Sequence, residues 1–124
     1  MIGYVTLGTQ DPSKAQAFYD ALLATLGISR IMEIDDFILW GKSMEDPCLA
    51  STRPYDGNPA TNGNGTMVAL RMGSTEEVDA FYAKAIALGA ADEGPAGPRG
   101  DGFYAGYFRD PDGNKLCAFV AEFS

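Results

Sequence analysis

Few side chains in this 124-residue chain are equipped for chemistry. Histidine is absent, which removes imidazole general bases, His-based triads and every metal site built on imidazole. The two cysteines, Cys48 and Cys117, are too few for a disulfide framework or a four-cysteine zinc site. Catalysis would therefore fall to Tyr, Cys, Arg, Lys or carboxylates. Cys117 is a nucleophile only as a thiolate, and a thiolate needs a nearby positive charge or base. Without one it is an inert core residue. Tyr4 and Tyr107 supply phenols. Arg71 supplies a fixed positive fork that suits a carboxylate or a phosphate; the plainer reading is a strand-end arginine in a surface ion pair. The pair Asp110 and Asp112 has the look of an acidic metal loop. It lies within Asp110-Pro111-Asp112-Gly113-Asn114, where Pro fixes φ and Gly takes the left-handed position, so the pair reads as turn formers.

Charge and composition bound the partners. Seventeen acidic residues against nine basic ones give a formal charge of −8, and an acidic chain repels a phosphate backbone, so no nucleic acid is expected. No apolar run approaches the ~20 residues of a membrane helix. The N-terminus runs straight into a strand-like pattern with no basic leader, so a cytoplasmic location is expected and no membrane partner.

A repeat supplies the elements that position these residues. Residues 4–22, YVTLGTQDPSKAQAFYDAL, align with residues 67–85, MVALRMGSTEEVDAFYAKA, at a fixed offset of 63. The identities are Val5/Val68, Leu7/Leu70, Ala17/Ala80, Phe18/Phe81 and Tyr19/Tyr82, which points to duplication. Each copy opens with a strand, 2–7 and 66–72, and passes into a capped helix. Asp11 caps the first with Pro12 at its first position; Ser74 and Glu77 fit a capping box for the second. Gly27 and Gly89 stop the helices. The predicted apolar faces are Ala15, Phe18, Leu22 and Leu26, then Val78, Phe81, Ala85 and Leu88 or Ile86. Three strand-like segments follow each helix: 28–34, 37–42 and 48–52, then a weak one at 91–93, 103–109 and 115–122. Residues 94–102 are expected to be an irregular loop. The prediction is an α+β fold of two tandem βαβββ modules, about 1–52 and 66–124, in a single domain. They are joined by the polar linker 53–65, in a curved mixed sheet around a central cavity with the helices outside.

The opening GYVTLGTQDPSKAQAFYDALL, the second-half MVALRM and the ending FYAGYFRDPDGNKLCAFV resemble the vicinal-oxygen-chelate superfamily. Its members include glyoxalase I, fosfomycin-resistance thiol transferases, extradiol dioxygenases and bleomycin-resistance proteins. The resemblance implies metal ligands on the first and last strand of each module. At the usual His positions this chain has Tyr4 and Met67; at the usual Glu it has Cys117; the fourth position falls near Leu49. A phenol, two sulfurs and an aliphatic side chain are a poor set for a hard divalent ion, so no metal and no cofactor are expected. The resemblance also implies a homodimer, and contacts to substrate at Thr6 and Tyr107.

Strand alternation puts Tyr4 and Thr6 on one face and Val5 and Leu7 on the other. It likewise groups Met67, Ala69 and Arg71, and groups Cys117 with Phe119. The expected ligand-binding set is thus Tyr4, Thr6, Trp40, Met67, Arg71, Tyr107, Cys117 and Phe119, although a central-strand Trp40 can also simply pack. The expected function is a metal-free protein that binds a small aromatic or amphipathic molecule between the modules. The alternative is an enzyme, glyoxalase-like or another of the superfamily. It would use Cys117 with Tyr4 or Tyr107, or a metal site the sequence does not display. A third possibility is an interaction module with no ligand.

Overall fold

The computed structural model describes residues 1–122. The chain forms two compact units, Met1–Asn62 and a second beginning at Gly63. The first contains β1 (Tyr4–Gly8), α1 (Pro12–Ala24), β2 (Ser29–Ile34), β3 (Phe37–Gly41) and β4 (Cys48–Thr52). The second contains β5 (Val68–Arg71), α2 (Thr75–Ala87), β6 (Ala91–Pro98), β7 (Phe103–Arg109) and β8 (Lys115–Ala121). Each unit is a four-stranded mixed sheet, ordered β1-β4-β3-β2 and β5-β8-β7-β6. In both, the first and last strands are parallel and the other pairs antiparallel. The fold is α+β, two tandem βαβββ modules.

The helices begin and end as their sequences dictate. Asp11 Oδ1 accepts from the Lys14 backbone N–H at 3.2 Å. Ser74 Oγ accepts from that of Glu77 at 3.2 Å. The reciprocal bond of the capping box is shifted by one residue: the Glu77 carboxylate accepts from Gly73 rather than from the cap itself. Both helices end in the same wrap. The N–H of Ile28 reaches the Leu23 carbonyl and that of Ala90 reaches the Ala85 carbonyl, over Gly27 and Gly89 at φ +72° and +103°, a conformation that a side chain would oppose.

The core of each unit lies between its helix and one sheet face. Ala15, Phe18 and Leu22 are buried in the first, and Val78, Phe81 and Ala85 in the second. The repeat thus conserves the central Phe and exchanges small and large residues on either side of it. Burying each such Phe contributes about 2–3 kcal/mol. Leu26, Ile86 and Leu88 are only half-buried; Leu26 and Leu88 lie just past the ends of α1 and α2.

The segment 94–102 departs from expectation. Residues 94–98 continue β6 as an edge strand on β7, with register shifts at Gly94 and Gly97. Gly and Pro weaken a strand, yet an edge position leaves a Pro nitrogen no ladder bond to lose, and the long β7 provides the template. The strand starts also come late: β1 begins at Tyr4 and β5 at Val68. In the β7–β8 turn, Asp110 Oδ1 accepts from the N–H groups of Asp112 and Asn114, both at 2.9 Å. Its Oδ2 accepts from Asn114 Nδ2 at 3.0 Å, and Gly113 has φ +88°. The Asp110 carboxylate is a buried turn former.

Candidate functional site

Register fixes which residues share a face. In the second unit Ala69 pairs with Cys117, Arg71 with Phe119, Tyr107 with Cys117, and Arg109 with Lys115. These residues, with Phe103 and Ala105, form the face turned away from α2. The opposite face carries Phe108, Leu116 and Ala118, all buried, and the Tyr82 ring lies against Gly106 there.

The open face of this sheet is aromatic and cationic. Phe103 and Phe119 stack with centroids 5.5 Å apart and planes 16° from parallel. The Arg71 guanidinium lies over the Phe119 ring, 4.9 Å from its centroid, a distance at which the ring face attracts the cation. The Tyr107 ring carries two cations, Arg99 at 5.5 Å and Lys115 Nζ at 5.6 Å. Next to it, Asn64, Gly65, Thr66, Met67, Tyr107, Arg109 and Lys115 line a recess of about 540 Å³. That is within the ~300–1,000 Å³ of small-molecule sites. Arg71 stands at the end of β5 and is exposed, as a surface arginine would be. It makes no ion pair among the described residues; its partner is the Phe119 ring.

Cys117 sits in this face between Tyr107 and Ala69 in register, but is only 1% exposed. Burial pushes its thiol up from its ordinary value, and Lys115 and a hydrogen bond from the Leu70 backbone offset that only in part. A protonated, covered thiol is a weak nucleophile.

In the first unit Tyr4 is 55% exposed and its ring meets Phe37 edge-on at 6.2 Å. Tyr4 pairs with Cys48, and Thr6 with Ala50, so Tyr4 and Thr6 lie on the face turned away from α1, together with a buried cluster of Leu39, Cys48 and Ala50. Trp40 does not join them. It pairs with Leu49 on the opposite face, is 1% exposed, packs on Tyr19 at 5.4 Å and donates from Nε1 to Asp20 Oδ1 at 2.8 Å. Asp20 also accepts from Arg30, at 2.7 Å from Nη2. This bond holds its carboxyl below the usual value against the opposing effect of burial, with Trp40 adding in the same direction. Trp40 thus occupies the place that Phe108 holds in the second unit, as a core anchor.

Register also corrects the fourth implied ligand position. Ala69 pairs with Cys117, and the repeat offset takes Ala69 to Thr6, whose partner is Ala50. The counterpart of Cys117 is therefore Ala50; Leu49 faces the helix. The set becomes Tyr4, Ala50, Met67 and Cys117, and it does not fit a divalent ion. Ala50 has no donor atom, Cys117 holds its proton, and a thioether is soft. Among the described residues no group of three His, Cys, Asp or Glu side chains is placed to hold a metal. Nor is any helix long and apolar enough to cross a membrane.

Sequence reasoning missed Phe103, Arg99 and Lys115. The signal for two of them was present. The Asp110–Asn114 turn fixes the β7–β8 register, and alternation back from Tyr107 reaches Phe103 while Lys115 shares the parity of Cys117. Arg99 had no such signal, because it follows a strand whose composition reads as loop.

The Glyoxalase/Bleomycin resistance protein/Dioxygenase superfamily matches residues 1–118. A glyoxalase/bleomycin resistance protein from Albidiferax ferrireducens has a solved structure similar to this one. It is 40% identical, with 96% of this chain and 97% of that chain covered and a TM-score of 0.87. A family enzyme from Burkholderia phytofirmans (19% identity, 97% and 98% coverage, TM-score 0.78) shares the fold. So does a lactoylglutathione lyase from Agrobacterium tumefaciens (20% identity, 96% and 92% coverage, TM-score 0.70). No curated protein matches the chain. Repeat, sheet order and matched span together place this chain in the glyoxalase/bleomycin resistance/dioxygenase superfamily.

Proposed function

We propose that this protein binds a small aromatic or amphipathic molecule without a metal, as a homodimer in the cytoplasm. The ligand would lie against the second unit's sheet face turned away from α2, with Phe119, Phe103 and Tyr107 as its flat surfaces and Arg71 and Met67 at its border. One observation carries this reading: the exposed Arg71 lies over the half-buried Phe119 ring, which stacks on Phe103, so that an apolar surface and a cation without a carboxylate partner are presented together. Small-molecule sites are built this way, from flat apolar walls and a few fixed polar groups.

The enzymatic alternative, with Cys117 and Tyr4 or Tyr107, has less support. A nucleophile needs a lowered thiol pKa and access, and Cys117 has a raised one and is covered.

The test has two parts. Elemental analysis of protein purified without an affinity tag or chelator should find below about 0.1 equivalent of any divalent metal. Near one equivalent would overturn the metal-free reading and put glyoxalase and dioxygenase assays first. Titration with naphthalene-sized fragments, followed by amide NMR shifts, should perturb β5, β7 and β8, and Phe119→Leu should weaken that binding. Fragments that leave these strands unperturbed would overturn the site.

A further inference from the structure

We infer that the second unit's open face selects an aromatic oxyanion, a flat ring system bearing a carboxylate- or phosphate-like group, with Arg71 and Lys115 as its charge anchors. This rests on the small-molecule reading and specifies the ligand's charge. The chain as a whole is strongly acidic, so its surface disfavours anions in general. The second unit sorts its charges by face. Glu76, Glu77 and Asp79 are on α2, and Asp79 accepts from Tyr104. Asp92 accepts from Tyr82, a residue of α2. Asp110 is spent in its turn. Among the strand residues of the open face the one carboxylate is Glu93, and Arg109 binds it.

Arg71 and Lys115 lie on that face with no carboxylate partner among the described residues; Arg99, above Tyr107, also lacks a carboxylate but donates to the Pro95 and Pro98 carbonyls. Each of the three lies over a ring. Arg71 and Lys115, stacked on a ring, keep their outer edges for an oxyanion, and the guanidinium fork suits a planar one. The recess at the Tyr107 and Lys115 end of the face is large enough for a two-ring body, and Arg71 stands outside its lining, over Phe119, four residues along β8 from Lys115. A cationic ligand would meet repulsion from three uncompensated charges and gain none of these contacts.

Three probes of one shape separate the possibilities: 2-naphthoate, 2-naphthalenemethanol and 2-naphthylmethylammonium, each titrated into the full chain and followed by amide NMR shifts. Naphthoate is expected to bind at β5, β7 and β8 about tenfold more tightly than the alcohol, and the ammonium more weakly than either. Raising salt from 50 to 500 mM should weaken naphthoate alone. Arg71→Gln should reduce naphthoate affinity about tenfold and leave the alcohol unchanged, which also reports that the variant is folded. Lys14→Gln, an equal charge change on α1, should alter neither. Equal affinity for all three probes at these strands would overturn the charge selection and leave the small-molecule site standing. Preference for the ammonium would do the same. No binding of any probe at these strands would overturn both.

Discussion

At the scale of single residues, burial and local charge decide what each titratable group can do. Cys117 is held as a thiol by its covering. Native protein treated with iodoacetamide at pH 8 should therefore leave Cys117 unmodified while it reacts fully in denaturant, as read by peptide mass spectrometry. Rapid native alkylation would restore it as a nucleophile. Asp20 behaves oppositely. Arg30 lowers its carboxyl in the folded chain, so it adds stability above the unfolded value near ~3.9. That contribution is lost as pH falls through the lower folded value. The Asp20 side chain is 42% exposed, so water screens the pair and its share is at most about 1 kcal/mol. Asp20→Asn should flatten the stability loss on the acid side, below about pH 4; an unchanged acid profile in denaturant melts would show that the pair contributes nothing.

At the scale of elements, close approach between helix and sheet sets the tolerance. Gly106 is a strand residue whose missing side chain lets Tyr82 lie on the sheet: a Cβ there would stand 3.0–3.1 Å from three atoms of that residue. Gly106→Ala should cost about 1–3 kcal/mol, since the packed ring must move. Gly3→Ala, with nothing within 4 Å, should stay within about 0.5 kcal/mol. Equal midpoints for the two in chemical denaturation would mean that the ring moves freely. The same helix–sheet contact explains Trp40. A large ring near the end of β3 lies on the helix-covered face, where Tyr19 packs on it and Asp20 satisfies its N–H.

At the scale of the whole molecule, each module covers one face of its own sheet with its own helix. Tyr4 and Met67, 55% and 41% exposed, belong to the uncovered surface. A homodimer would reduce that exposure. Light scattering at micromolar concentration should give a mass near twice the 13.2 kDa of the chain. A monomer would refute the proposed assembly.

The sequence by itself determined the duplication, the two helices with their caps and glycine stops, the Asp110–Asn114 hairpin and the alternation that separates Tyr4 and Thr6 from Val5 and Leu7. All of these depend on neighbours within a few residues or on a repeat that is visible in the string. It also determined the absence of histidine, and with it that no imidazole of this chain can serve as a base or a ligand. Only the tertiary structure decided which face Trp40 takes, that Ala50 rather than Leu49 is the counterpart of Cys117, that 94–98 pair as an edge strand, and that Arg71, Arg99 and Lys115 lie over the rings of Phe119 and Tyr107. Those outcomes depend on cross-strand register and on helix packing. Partners distant in sequence set both, and local propensity carries no record of them.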